Sequence, residues 1–258
     1  MEELPENVKQ KLNSIEPTEI PSVSSHYAYS LMKSIRKKKS SVPGDLPPRL
    51  FNHDDIRLSL AEPVALIANT VAKTGEWPRQ YKTEWGVVLQ KEPNPATERQ
   101  LRIISCTNQV SKCLEKMVLN WLMIYVEPFL DPDQMGGQKG CSITHYLIEV
   151  SNFILYNQDL NNPHAIMAIF VDFAQGFNRV LHSKIIEILE KMKVPGWLLR
   201  IMVSYFTGRN LKVRFKDLIS ENKKLNAGLG QGCLLGLWCF LFLVNFAGPL
   251  STPGRKIT

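Results

Sequence analysis

The sequence predicts an α+β fold, and three observations predict it. Short apolar runs bounded by turn residues interleave irregularly with longer stretches of helical periodicity. Ile185, Ile188, Leu189 and Met192 fall at i, i+3, i+4 and i+7, one buried face of a helix. Leu211, Val213 and Phe215 alternate with Lys212, Arg214 and Lys216, the pattern of a half-buried strand with a basic outer face. The 258 residues suffice for one large domain or two small ones with a real core, and no internal repeat divides them.

Residues 1 to about 25 contain Pro5, Pro17, Pro21 and clustered serines, and read as a loosely ordered lead-in. A helix pattern around Tyr27–Ile35 runs into RKKKSSVPGDLPP, a solvated loop. Asp54 and Asp55 open a helix that continues through Val71 and stops at Gly75; the acidic pair is a helix N-terminus, not a metal-binding pair. Gly86–Leu89 and Leu101–Ser105 read as strands, and a long amphipathic helix fits Ser111 to about Phe129. The glycine-rich MGGQKGCS precedes a helix from about Ile143 to Tyr156. An apolar strand over Ala165–Val171 leads into Asp172, and a helix starts at Ser183. VPGW restarts a helix that ends at Gly208, the basic strand follows, and a turn-rich segment reaches GLGQG and the apolar run Cys233–Leu250.

The net charge of +7 is compatible with nucleic acid or another anionic surface, and the run Arg36–Lys39 fits a solvated face, phosphate contact or nuclear targeting. The five cysteines form no CxxC pair and have no histidine at zinc spacing, so they read as buried reduced thiols. The polar, acidic N-terminus is not a signal or transit peptide, which predicts an intracellular protein of cytoplasm or nucleus. Cys233–Leu250 is 18 residues without a charge, near the lower limit for a membrane span. Gly236, Asn245, Gly248 and Pro249 interrupt it, which favours a buried helix over a membrane anchor.

Asp172 raises the chemical question. A carboxylate at the end of an apolar strand is costly to bury alone; it caps a helix, pairs with a cation or holds a metal. Its neighbours supply context. FVDFAQGFNRV resembles the first palm motif, close to FxDFxKAFDxV, of the reverse transcriptases of non-LTR (LINE-type) retrotransposons. Further segments are similar to that family in the same order. KKKSSVPGDLPPRL resembles its GxDGIPP-type segment, and VVLQK with RQLRIIS its fingers strands. QMGGQKGCSITHYL resembles QxGFRxGRSTxxAL, and VPGWLLRIMVSYFTGRNLKVRF the stretch after the first palm motif. GLGQGCLLGLWCFLFLVN resembles PQGxxLGPxLFxLYIN.

The resemblance implies fingers and the first half of the palm of a right-hand polymerase fold, with palm and thumb incomplete. It divides the chain into a lead-in with basic loop (1–41), a fingers-like region (42–160), a partial palm (161–250) and a tail (251–258). It implies RNA-templated DNA synthesis with two Mg²⁺ ions about 4 Å apart, on an RNA template, a DNA primer and a dNTP. Asp172 would ligate both ions and the Phe173 carbonyl would add an oxygen. Lys91 and Arg102 would hold the triphosphate. Phe177 would exclude a ribose 2′-hydroxyl, or serve as an ordinary core aromatic. Gln231 and Gly232 would lie beside the nucleotide and template strand. Arg36, Lys37, Lys38, Lys39, Arg209, Lys212 and Arg214 would contact nucleic acid through phosphates.

The sequence departs from the family pattern. Gly230 replaces the proline before QG, Gln175, Gly176 and Asn178 replace Lys, Ala and Asp, and Leu237 replaces a later proline. No YxDD follows QG before Thr258, so the chain reads as truncated before that motif. One aspartate cannot hold two divalent ions at working affinity, so these residues alone are expected not to polymerise. The alternatives are a non-catalytic nucleic-acid-binding module and a C-terminally anchored membrane protein.

Overall fold

A computed structural model describes residues 4–13, 20–34, 42–97, 100–132, 134, 136–137, 140–159, 165–167, 169–170, 173 and 175–246. The chain opens with helix α1 (Glu6–Asn13), where the sequence predicts a loose lead-in. Eight residues are too few to hold a helix in water, so docking supplies the stability. Val8 is buried, and Arg200 Nη1 donates to the Leu12 carbonyl at 2.7 Å. Helix α2 (Ser25–Ser34) follows. Asn69 clamps the chain before it, accepting from Val23 N at 2.8 Å and donating to the Val23 carbonyl at 2.9 Å.

Helix α3 (Asp54–Thr74) carries Asp54 and Asp55 in its first turn and ends at Gly75, as the sequence predicts. Asp54 accepts from the Tyr29 hydroxyl at 2.7 Å and pairs with Arg57, so its charge is committed to the fold. Ala61, Ala65, Ala68 and Ala72 give α3 a small-residue face, buried with Val64 and Val71.

Strand β1 (Thr83–Gln90) and strand β2 (Leu101–Cys106) pair antiparallel, with Leu89 opposite Arg102. Helix α4 (Gln109–Val126) starts from Asn108, whose side chain accepts from Val110 N at 2.8 Å. Helix α5 (Ile143–Gln158) is capped by Ser142 and buries none of its residues. Helices α6 (His182–Lys191) and α7 (Gly196–Phe206) pack into the core. Strands β3 (Arg209–Phe215), β4 (Leu218–Ile219) and β5 (Lys223–Leu225) precede helix α8 (Leu234–Phe246).

The strand order is β2-β1-β3-β4, with β5 also on β3. The β1–β3 pair is parallel and the others antiparallel, so the sheet is mixed and the fold α+β. The sequence predicts β1, β2 and β3 but leaves β4 and β5 in a turn-rich segment. Both are too short to show a strand period. The open edge of β3 recruits them through its backbone groups.

One core holds α1 to α4 and α6 to α8. Met117, Leu122, Ile185, Leu198, Leu199 and Phe242 are among its fully buried side chains. All four residues of the periodic face predicted for α6 are buried. The expectation of buried thiols holds for Cys113, Cys233 and Cys239; Cys141 is exposed. Among the described residues no helix is long and apolar enough to cross a membrane.

The predicted strand over 165–171 requires correction. The described residues of this stretch form no strand, and Met167 (84%), Ile169 (68%) and Phe170 (83%) are exposed. A strand needs a hydrogen-bonding neighbour, and none of the described strands pairs with the described residues of this segment.

Candidate active site

The loop GLGQG, residues 228–232, is tied down by backbone bonds to two distant segments. Gly228 N donates to the Val180 carbonyl at 2.8 Å and Leu229 N to the Phe177 carbonyl at 2.7 Å. On the other side, Ser105 N on β2 donates to the Gln231 carbonyl at 2.8 Å. Gly232 has φ of 119°, and a Cβ there would stand 2.8 Å from the Ser105 carbonyl oxygen. Only glycine takes that conformation and that approach without strain. Segment 176–180, the loop and β2 thus form one surface.

His182 braces it from below. Its Nε2 donates to the Gly228 carbonyl at 2.7 Å, and its ring stacks on Phe206 with centroids 4.5 Å apart. Burial holds its pKa below the ordinary 6.5, opposed by the Gly228 hydrogen bond.

Phe177 is half-buried and stacks on Phe240 of α8, with centroids 4.4 Å apart at 18°. Phe173 meets the same ring edge-on at 6.3 Å and 90°. The structure therefore brings Phe173, Phe177, Gln231 and Gly232 together around α8 and the edge of β2. Asp172 precedes Phe173 in sequence and lies outside the described residues, as do Arg36, Lys37, Lys38 and Lys39. Among the described residues no three histidines, cysteines or carboxylates converge to hold a metal ion.

The sheet register assembles the basic residues. Paired residues share a face and faces alternate along a strand. Arg102 stands opposite Leu89, while Lys212 and Arg214 stand opposite Trp85 and Val87. Lys91 continues the register one residue past β1, its N–H donating to the Gln100 carbonyl at 2.8 Å. Lys91, Arg102, Lys212 and Arg214 therefore occupy one face, together with Trp85, Val87, Leu89 and Ile104. Lys212 Nζ lies 5.7 Å from the centroid of the Trp85 ring. Lys224, opposite Asn210, joins this face; sequence reading missed it because β5 has no legible period.

Arg209 is a correction. The sequence reading gives it to nucleic acid, but it is 3% exposed on the opposite face of the sheet. Its Nε and Nη2 donate to Glu84 Oε1 at 2.9 and 2.5 Å, and its guanidinium lies 4.3 Å from the Tyr205 ring centroid. The same two-residue alternation that turns Lys212 and Arg214 outward turns Arg209 inward.

Glu115 is a second buried charge that the sequence reading passed over. Its Oε2 accepts from Leu234 N at 2.8 Å and Leu235 N at 3.3 Å, at the start of α8. Burial raises its pKa above 4.5, opposed by Arg209 and by those two amides. The signal was present: Ser111, Leu114, Glu115, Val118 and Leu122 share the buried face of α4.

Comparison with known proteins places this surface in a family. Residues 89–250 match the family "Reverse transcriptase (RNA-dependent DNA polymerase)". The chain is 29% identical over 176 residues to the probable RNA-directed DNA polymerase from transposon BS of Drosophila melanogaster, covering 67% of this chain and 19% of that protein. It is 27% identical over 181 residues to the probable RNA-directed DNA polymerase from transposon X-element of the same fly, covering 68% and 20%. With the RNA-directed DNA polymerase from mobile element jockey it shares 25% over 197 residues, 75% of this chain and 21% of that protein. The chain thus spans about a fifth of the length of the curated relatives it matches. The match covers more than half of the chain, includes β2, Phe177, the GLGQG loop and α8, and agrees with the mixed α+β architecture: the chain belongs to the reverse transcriptase family, as a domain of the LINE type.

Proposed function

We propose that this chain handles template and incoming nucleotide in an RNA-templated DNA polymerase, as its fingers and the first part of its palm. One observation carries the reading. Backbone bonds hold Phe177, Gln231 and Gly232 in one surface against β2, the strand that bears Arg102. In this reading Arg102 and Lys91 grip the triphosphate, Phe177 selects the sugar, and Gln231–Gly232 lie along the nucleotide and template. Lys212 and Arg214 extend the grip along a phosphate backbone. The family uses divalent metal ions; Asp172 and the Phe173 carbonyl are the groups we assign to Mg²⁺. These residues tested alone bring one such aspartate, so they are expected to bind primer–template without extending it.

Primer extension on poly(rA)/oligo(dT) with dTTP and Mg²⁺ or Mn²⁺, beside Asp172→Asn, tests this. Binding without extension is the expected result. Extension that Asp172→Asn abolishes would overturn the inactivity of these residues alone. A folded chain that binds neither primer–template nor dTTP would overturn the whole reading. The basic sheet face favours a second reading, a phosphate grip on RNA or DNA with no nucleotide site. Tighter primer–template binding with the complementary dNTP than with a mismatched one separates the first from the second.

A further inference from the structure

Three charged side chains lie buried beneath the GLGQG loop: Glu84 (2% exposed), Glu115 (0%) and Arg209 (3%). They come from β1, α4 and β3. Arg209 holds Glu84 Oε1 with two nitrogens, and Glu115 Oε2 takes the first two amides of α8. The guanidinium bonds Glu84 and acts on Glu115 only through its charge, and among the described residues Glu84 Oε2 and Glu115 Oε1 have no hydrogen-bond partner. As a source of stability this is a poor arrangement, because desolvation of buried charges offsets their attraction.

Its geometric effect is clear. Glu84 Oε2 lies 2.6 Å from where a Cβ on Gly230 would stand, with Cys233 Sγ at 2.7 Å. Arg209 anchors that carboxylate, so it cannot swing aside freely. Glu115 draws the positive end of α8 onto α4. Between Gly230 and Leu234 only Gln231, Gly232 and Cys233 remain, and both ends of that short path are held.

We propose that Glu84, Arg209 and Glu115 are positioning residues that clamp Gly230 and the start of α8, and so set Gln231–Gly232 against β2 for template and nucleotide. The clamp rests on the functional reading above and names what aligns its loop. It touches no phosphate. Residue 230, where the family pattern has proline, is part of it: the Glu84 carboxylate occupies the space a larger side chain would need.

Amide hydrogen exchange across α8, read beside the salt dependence of poly(rA)/oligo(dT) binding, tests the clamp. In Glu115→Ala, Leu234 and Leu235 should exchange about tenfold faster, the scale of a lost hydrogen bond to a charged group. Affinity should fall by a similar factor with the salt slope unchanged, because no phosphate-facing cation is removed. Glu115→Gln keeps an acceptor for both amides and should restore exchange and affinity to within about threefold. Gly230→Ala leaves all three charges intact and should reproduce both effects, which keeps the test open should Glu115→Ala fail to fold. Exchange that rises equally in α3, α7 and α8 would mean general destabilisation and would overturn the proposal. Unchanged affinity in both Glu115→Ala and Gly230→Ala would overturn it too. A folded wild-type chain that binds no primer–template would remove the functional reading and the clamp's role in it together; the local exchange pattern would still report the clamp as a physical device.

Discussion

Replacing Arg102 and Arg214 together with glutamine should flatten the salt dependence of nucleic-acid binding. Both are exposed, and the strand register places them on one face with Lys91 and Lys212. If the four cations assigned to phosphate, Lys91, Arg102, Lys212 and Arg214, each neutralise one duplex phosphate, the log–log slope is about −3.6, at about −0.9 per phosphate. Raising salt from about 50 to about 200 mM should then weaken wild-type binding about 150-fold. The double variant keeps half of that slope and should lose only about 12-fold over the same range. Anisotropy of a labelled RNA–DNA hybrid, titrated at several KCl concentrations, reads both numbers. Arg209→Met is the internal control: its guanidinium faces Glu84, so it should leave the slope of folded protein unchanged. A double variant with the parent slope would refute the reasoning, as would a slope that falls with Arg209 in folded protein.

Arg209→Ala leaves Glu84 buried and uncompensated and should cost about 3–5 kcal/mol, whereas Glu84→Met with Arg209→Met should cost far less; urea midpoints compare the two. Gly232→Ala should destabilise by about 1–3 kcal/mol, because φ of 119° and the Ser105 carbonyl oxygen at 2.8 Å both oppose a Cβ; thermal unfolding measures it. Leu198→Ala, in the α7 core, should cost about 2–5 kcal/mol, while Leu66→Ala at a 67% exposed position should change stability by about 0.5 kcal/mol or less. The pH dependence follows from Glu115. Burial lifts its carboxyl above 4.5, so the unfolded chain ionises first as pH rises. Wild-type stability relative to Glu115→Gln should therefore be highest below about pH 4.5 and fall as pH climbs through the folded-state value. Urea midpoints of the two proteins across that range check the sign, and a difference that grows with pH would refute it.

The sequence by itself determined the elements whose signal is local. Ile185, Ile188, Leu189 and Met192 mark α6 because a helix buries one stripe, and all four are buried. Asp54, Asp55 and Gly75 bracket α3 because acidic residues suit a helix start and glycine a left-handed stop. The family was legible in the ordered motifs, several of which fall in the matched residues 89–250. Tertiary structure alone decided the rest. Helix α1 forms where prolines and polar residues predict none, because α7 gives it a surface to dock on. Strands β4 and β5 exist because β3 has an open edge, which no short window of sequence contains. The apolar run before Asp172 reads as a buried strand, yet Met167, Ile169 and Phe170 are exposed, because a strand is made by its neighbours. In the sequence Arg209 and Arg214 read alike as basic residues for nucleic-acid contact. Alternation and the position of Glu84 across the β1–β3 pair send one inward to an ion pair and the other outward to solvent. Pairing across strands distant in sequence decides which charges meet, so only the folded chain separates the exposed basic face from the buried charges behind it.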